Sequence, residues 1–155
     1  MLGVDAISQA LVTGYFIGIG PGSTPVEAEE QLGAAVRQLR GGKPHRLLRL
    51  DFGLVEATFA GEPDWVCQWV SVHTHRLAEM PFLAGECAER FGLEFSEAVT
   101  WGQLSPEARD TADLVDVSSH AVRYRFPAVK ATVHLSESSE GDELGRVIEK
   151  ISIGV

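Results

Sequence analysis

Three features of this sequence predict an α+β fold in which helices cover one face of an antiparallel β-sheet. Residues 46–76 hold three runs of alternating apolar and polar residues separated by two turn signals. Residues 122–153 hold a second such series, and each series follows stretches whose apolar residues recur at helical spacing. A period of two marks strands buried on one side only, and single apolar stripes mark the helices that cover that side.

Along the chain, Asp5 can cap a helix over residues 6–13 that presents Ala6, Ile7, Ala10 and Leu11 before Gly14 ends it. Tyr15 to Gly22 reads as a connector. Thr24-Pro25-Val26-Glu27 spells a capping box with proline at the first helical position, and Ala28, Leu32, Ala35, Val36 and Leu39 follow the 3.6-residue period. Gly33 offers an early end to this helix and Gly41-Gly42 the latest.

The first meander then begins. Leu48, Leu50 and Phe52 alternate with Arg49 and Asp51, Asp51-Phe52-Gly53 turns the chain, and Val55, Ala57 and Phe59 alternate with Glu56 and Thr58. After the turn Gly61-Glu62-Pro63-Asp64, a longer strand is expected to carry Val66, Gln68, Val70, Val72 and Thr74 on one face. Cys67, Trp69, Ser71, His73 and His75 would occupy the other. Pro81 opens a third helix with Leu83, Cys87, Ala88 and Phe91 on its stripe and Gly92 at its end, and Ser105-Pro106-Glu107 opens a fourth. Val122, Tyr124 and Phe126, then Val129, Ala131, Val133 and Leu135, then Val147, Ile151 and Ile153 form the second alternation.

The order of elements therefore repeats, as two pseudo-repeated ααβββ halves at about 4–78 and 79–155 of a single domain spanning 1–155. A shift of 74 lays Leu47–Phe59 over Ala121–Val133 with five identities in thirteen positions, Arg49 with Arg123 and Thr58 with Thr132 among them. Average residue usage would give on the order of one. The capped helices at Thr24-Pro25 and Ser105-Pro106 are offset by 81, so the halves would differ in connector length. Two unrelated meanders sharing β-propensity would look similar.

Composition narrows the function. With 155 residues and 45% hydrophobic content the chain can bury one substantial core. A net charge of −9, from 22 acidic and 13 basic residues, argues against gripping a nucleic-acid backbone and makes a basic partner easier to imagine. No basic leader and no apolar run of membrane-spanning length occurs, so the expectation is a soluble cytoplasmic protein that binds neither nucleic acid nor membrane. Cys67 and Cys87 stand in no paired motif and read as free buried thiols.

His73-Thr74-His75 is the most tempting catalytic or metal constellation, because alternate strand positions put both imidazoles on one face. No third ligand lies at a recognised spacing, and histidines packed beside Trp69 at a strand end account for the pattern without metal, so neither metal nor cofactor is expected. Gly18-Ile19-Gly20-Pro21-Gly22 lacks the lysine and the register of a phosphate cradle, and Pro21 removes an amide donor. Asp51-Phe52-Gly53 is a turn without the remaining parts of a kinase, and no serine sits in a nucleophile elbow. What remains is a polar sheet face with Arg49, Glu56, Trp69, His73, His75, Arg123, Arg125, Lys130 and His134, the Arg and aromatic mixture that protein-recognition surfaces favour. Two acidic hairpins flank it, Glu62 and Asp64 beside Trp65 in the first, and Glu137, Glu140, Asp142 and Glu143 in the second. An ordinary solvated sheet face with charged hairpin tips is the bland alternative.

The run Ile17–Gly33, leading into strands and Phe59, resembles the helix-loop-helix opening of the ααβββ module of β-lactamase-inhibitor-protein-like domains. Leu48–Glu56 together with His75-Arg76-Leu77 is similar to bacterial immunity factors for secreted toxins. The resemblance implies tandem modules that present a concave sheet to a partner protein. This chain lacks the inhibitor family's cysteine pairs and a secretion signal, which favours a cytoplasmic target. The expected function is thus a cytoplasmic, non-catalytic immunity-type inhibitor that neutralises a basic toxin or enzyme through its polar sheet face and acidic hairpins. A small enzyme or metal-binding protein centred on His73 and His75 is the alternative.

Overall fold

The computed structural model describes residues 1–117, 122–136 and 143–154. Helices α1 (Gly3–Thr13) and α2 (Pro25–Leu32) precede strands β1 (Val36–Arg40), β2 (Leu47–Asp51), β3 (Val55–Ala60) and β4 (Val66–Val72). Helices α3 (Arg76–Glu79), α4 (Leu83–Phe91) and α5 (Pro106–Asp110) then lead to β5 (Asp113–Val117), β6 (Val122–Phe126), β7 (Ala131–Leu135) and β8 (Ile148–Ile153). The eight strands form one sheet in the order β1-β2-β3-β4-β8-β7-β6-β5, with every neighbouring pair antiparallel. Two four-stranded meanders thus meet through their last strands, where Ser71 and Ser152 face each other with their Oγ atoms 3.5 Å apart.

The α+β antiparallel architecture is the expected one. Leu48, Leu50, Val55, Ala57 and Phe59 of the first meander and Tyr124, Phe126, Ala131, Val133, Ile151 and Ile153 of the second share one buried core with Ile7, Leu11, Ala28, Leu32, Leu83, Cys87 and Ala108 of the helices. At about 25 cal/mol per Å² of buried apolar surface, this packing is the main force holding helices to sheet. Both cysteines are buried free thiols, and burial pushes Cys67 up to about 12 and Cys87 up to about 11. Among the described residues, no helix is long and apolar enough to cross a membrane.

Several details differ from the sequence-based expectation: α1 begins at Gly3 after Leu2, so Asp5 lies in its first turn instead of capping it, α3 is an additional helix, and α4 begins at Leu83 rather than at Pro81. The second helix stops at Leu32 rather than running on through Ala35, Val36 and Leu39. Gly33 adopts φ 84°, and Arg90 of α4 then grips the Leu32 and Ala34 carbonyls at 2.9 and 2.6 Å, which leads the chain into strand β1. Each half accordingly contributes four strands instead of three, because β5 also lies outside the expected meander.

The third expected strand ends at Val72, not beyond His75. The His73 amide bonds to the Leu54 carbonyl and the His75 amide to Glu149, after which His75 leads into α3. A bulge places Thr58 opposite Trp69 but Phe59 opposite Cys67, so one extra residue shifts the phase of β4 and turns Cys67 into the core instead of onto the polar face. Finally, the shift of 74 would put Arg123 opposite Thr132 as Arg49 stands opposite Thr58. Arg123 instead pairs with His134, and Thr132 with Arg125, a two-residue displacement across the hairpin.

Candidate functional site

Register alone builds the polar face. One row across the sheet reads Asp51, Glu56, Ser71, Ser152, Thr132, Arg125 and Asp113, and a second reads Lys150, His134, Arg123 and Asp116. Gln38, Arg49, Thr58 and Trp69 make a third. These positions alternate with the core residues of the same strands, so the face follows from the period-two pattern.

In the first half the face is organised around Glu56, whose carboxylate is almost buried. Arg76 Nη2 donates to Glu56 Oε1 at 2.7 Å, while Arg49 Nη1 lies 3.6 Å from Oε2. His73 Nε2 is 3.2 Å from Oε2 without the alignment of a hydrogen bond. The neighbouring His73, followed by Arg76 and Arg49, holds the Glu56 carboxyl down to about 2 against the opposing effect of burial. Arg76 also donates to the Gly53 carbonyl at 2.6 Å and stands 3.5 Å from Asp51, and Arg49 donates to Gln38 at 2.6 Å. The turn beneath is fixed by the Gly53 amide, which donates to Asp51 Oδ1 at 2.8 Å while Gly53 takes φ 94°.

The second half differs. His134 sits between Arg123 and Lys150 in the register, and its pKa is lowered first by burial and then by the two cations, with Glu149 pulling the other way. Arg123 and Arg125 are exposed. The face therefore mixes Arg49, Arg76, Arg123, Arg125 and Lys150 with Asp51, Glu56, Asp113 and Asp116.

The remaining candidates scatter. Trp69 lies half-buried on the face as expected, beside the nearly buried Thr58. His73 and His75 meet edge to face with ring centroids 5.6 Å apart, but His73 is directed at Glu56 and His75 Nδ1 meets the Glu149 carbonyl at 2.9 Å. Among the described residues, no group of three His, Cys, Asp or Glu side chains is placed to hold a metal ion. Glu62 forms a two-point ion pair with Arg46, which holds its carboxyl below the usual range, while Asp64 is exposed. Trp65 packs partly buried against the core and lines a cleft together with Glu62. Lys130 occupies a left-handed turn at φ 50° between strands instead of a face position. Glu143 is exposed in a short 3-10 turn, whereas Glu137, Glu140 and Asp142 lie outside the described residues.

Sequence reading missed Arg76 and Lys150 as members of the face. Lys150 could have been found from its alternation with Ser152 and Ile151, but Arg76 reaches Glu56 from a helix and no strand periodicity signals it. No protein-family model, curated protein sequence or solved structure matches this chain.

Proposed function

We propose that this protein is a non-catalytic protein-binding inhibitor whose polar sheet face is the contact surface. The observation that carries this reading is the arrangement of that face: a broad β-surface with a half-buried tryptophan, an ion network already locked in place around Glu56, and exposed arginines beyond it. Side chains held in position before binding lose less entropy on association, and Trp and Arg are the residues that most often dominate interface energetics. The resemblance of Ile17–Gly33 and Leu48–Glu56 to inhibitor-type and immunity-type proteins supports the narrower reading of a cytoplasmic immunity protein that neutralises a toxin or enzyme.

The distribution of charge refines the partner. Lys150 beside His134 would suit an acidic group on the surface that meets the second half of the sheet, whereas a basic patch on the partner would meet Glu62 and Asp64 or the acidic run Glu137, Glu140, Asp142 and Glu143. The complex would be mixed in charge, with steering by the net charge of −9 and fixing by the face.

Affinity isolation from the native host, followed by binding kinetics with purified partner, tests this. Trp69→Ala is expected to raise the dissociation rate, at a cost on the order of 2 kcal/mol. Neutralising Glu137, Glu140, Asp142 and Glu143 together is expected to slow association and flatten its salt dependence. A partner whose binding ignores both sets of changes would remove the face and the hairpins from the interface.

A further inference from the structure

Among the described residues, β1 and β5 are the two edges of the sheet, each paired on one side only. Sheet edges are usually blunted by charge, because an unpaired row of amides and carbonyls templates another strand. Here the charges on the two edges are opposite. Residues 36–46, which contain β1, carry Arg37, Arg40, Lys43 and Arg46 and no acid, in a chain whose net charge is −9. β5 reads Asp113-Leu114-Val115-Asp116-Val117 and has no base. Both edges also expose apolar residues: Val36, Leu39, Leu114, Val115 and Val117 are each more than half exposed.

We propose that β1 of one copy pairs antiparallel with β5 of a second copy, extending the sheet head to tail. Topology permits it directly. With eight strands and every neighbouring pair antiparallel, β1 and β5 run in opposite directions, so a second copy in the same orientation presents β5 antiparallel to β1. The side chains match as well. Leu39 pairs with Leu48 and Leu114 with Tyr124, so both lie on the apolar side, while Arg40 pairs with Leu47 and Asp113 with Arg125, so both lie on the polar side. The register that sets Leu39 beside Leu114 therefore sets Arg40 beside Asp113.

A cleft of about 430 Å³ next to the β1 edge, lined by Arg37, Leu39, Leu48, Glu62 and Trp65, offers Leu114 a seat against Leu39, Leu48 and Trp65 with charged groups at its border. Arg37 shares its charge with Glu29 at 3.2 Å and Arg40 donates to Gln38 at 3.2 Å, but neither arginine is buried by these contacts. Pairing of an edge with its own kind is disfavoured, since β1 against β1 opposes arginines and β5 against β5 opposes aspartates in the same short ladder. The contact is thus heterologous, and successive copies add without closing at two. Their polar faces would join into one longer surface.

Sedimentation of the full chain from micromolar to millimolar concentration tests the pairing. The average mass is expected to climb above the 16.8 kDa of one chain with concentration and to fall back when salt is added. Arg40→Glu alone and Asp113→Arg alone should each weaken association by roughly tenfold or more, because each places like charges across the contact. An equimolar mixture of the two variants should recover it, since the acidic β1 of one then meets the basic β5 of the other. Unchanged thermal unfolding of both variants excludes misfolding as the cause. A mass that stays at 16.8 kDa throughout, association that survives both single changes, or a mixture that behaves no better than its components would each overturn the pairing.

Discussion

The two halves of the polar face solve the same problem in opposite ways. Around Glu56, a nearly buried carboxylate is surrounded by Arg49, His73 and Arg76, and the charges satisfy one another inside the chain. Around His134, the nearest neighbours in the register are both basic, Arg123 and Lys150, and burial first, then these two cations, make the imidazole give up its proton more readily. The first region is scaffold: its charges hold the turn at Gly53, the end of β4 and the start of α3 in one arrangement. In the second the charges are spread along the strands, Arg123 opposite Asp116 and Arg125 opposite Asp113 in the register, rather than gathered at one carboxylate.

The largest effect should come from breaking the first region. Glu56→Gln leaves Arg49 and Arg76 facing each other without their shared counter-charge, and removing one partner from a buried ion cluster costs on the order of 3 kcal/mol. Denaturant unfolding at neutral pH measures it. A loss of only a few tenths would show that the cluster is solvated and that the two regions do not differ as described. Arg123→Gln, as the counterpart on the second region, is expected to change stability far less.

Acid titration sharpens the same contrast. The folded-state pKa of Glu56 lies near 2 against an ordinary 4.5, so the stability that it contributes is fully present above pH 4.5. It is lost as the pH falls from 4.5 towards 2, because the unfolded chain takes up the proton first. The shift corresponds to on the order of 3 kcal/mol, and Glu56→Gln should abolish that part of the profile. His134 gives a separate window. Its folded-state pKa is depressed below 6.5, so its contribution is present above pH 6.5 and declines as the pH falls below that value, where the unfolded chain again binds more protons.

How much of this was legible in the sequence depended on the range of each interaction. The alternation of Leu48, Leu50, Ala57 and Phe59 with Arg49, Glu56 and Thr58 placed the core and the polar face correctly, since a period of two is a local property of a strand. The capping box Thr24–Glu27 was equally local, and both of its hydrogen bonds form. Gly33 competed with a helical stripe that continued through Val36 and Leu39, and the outcome was decided by Arg90, distant in sequence, taking the carbonyls of Leu32 and Ala34. The bulge opposite Phe59, which moves Cys67 to the core, leaves no pattern in composition. Arg76 joins Glu56 only because the chain turns at His73, so the ion network depended on a tertiary contact that no spacing rule encodes.

The smallest and most specific prediction concerns the second region alone. If the row Arg123, His134 and Lys150 sets its electrostatics, Lys150→Gln should move the His134 pKa upward, as one of the two cations that oppose imidazole protonation is gone while Glu149 still favours it. The value should nevertheless stay below 6.5, because burial is the larger cause and Arg123 remains. NMR titration of the imidazole resonances reads this directly, and unchanged chemical shifts in the core exclude loss of the fold as the source of the change. A companion measurement on Glu56→Gln should leave the His134 titration where it was, since the two regions are separated by the Ser71 and Ser152 pair at the centre of the sheet. A His134 pKa that ignores Lys150→Gln, or that follows Glu56→Gln, would mean that the face titrates as one unit and that the division into a region centred on Glu56 and one centred on His134 is wrong.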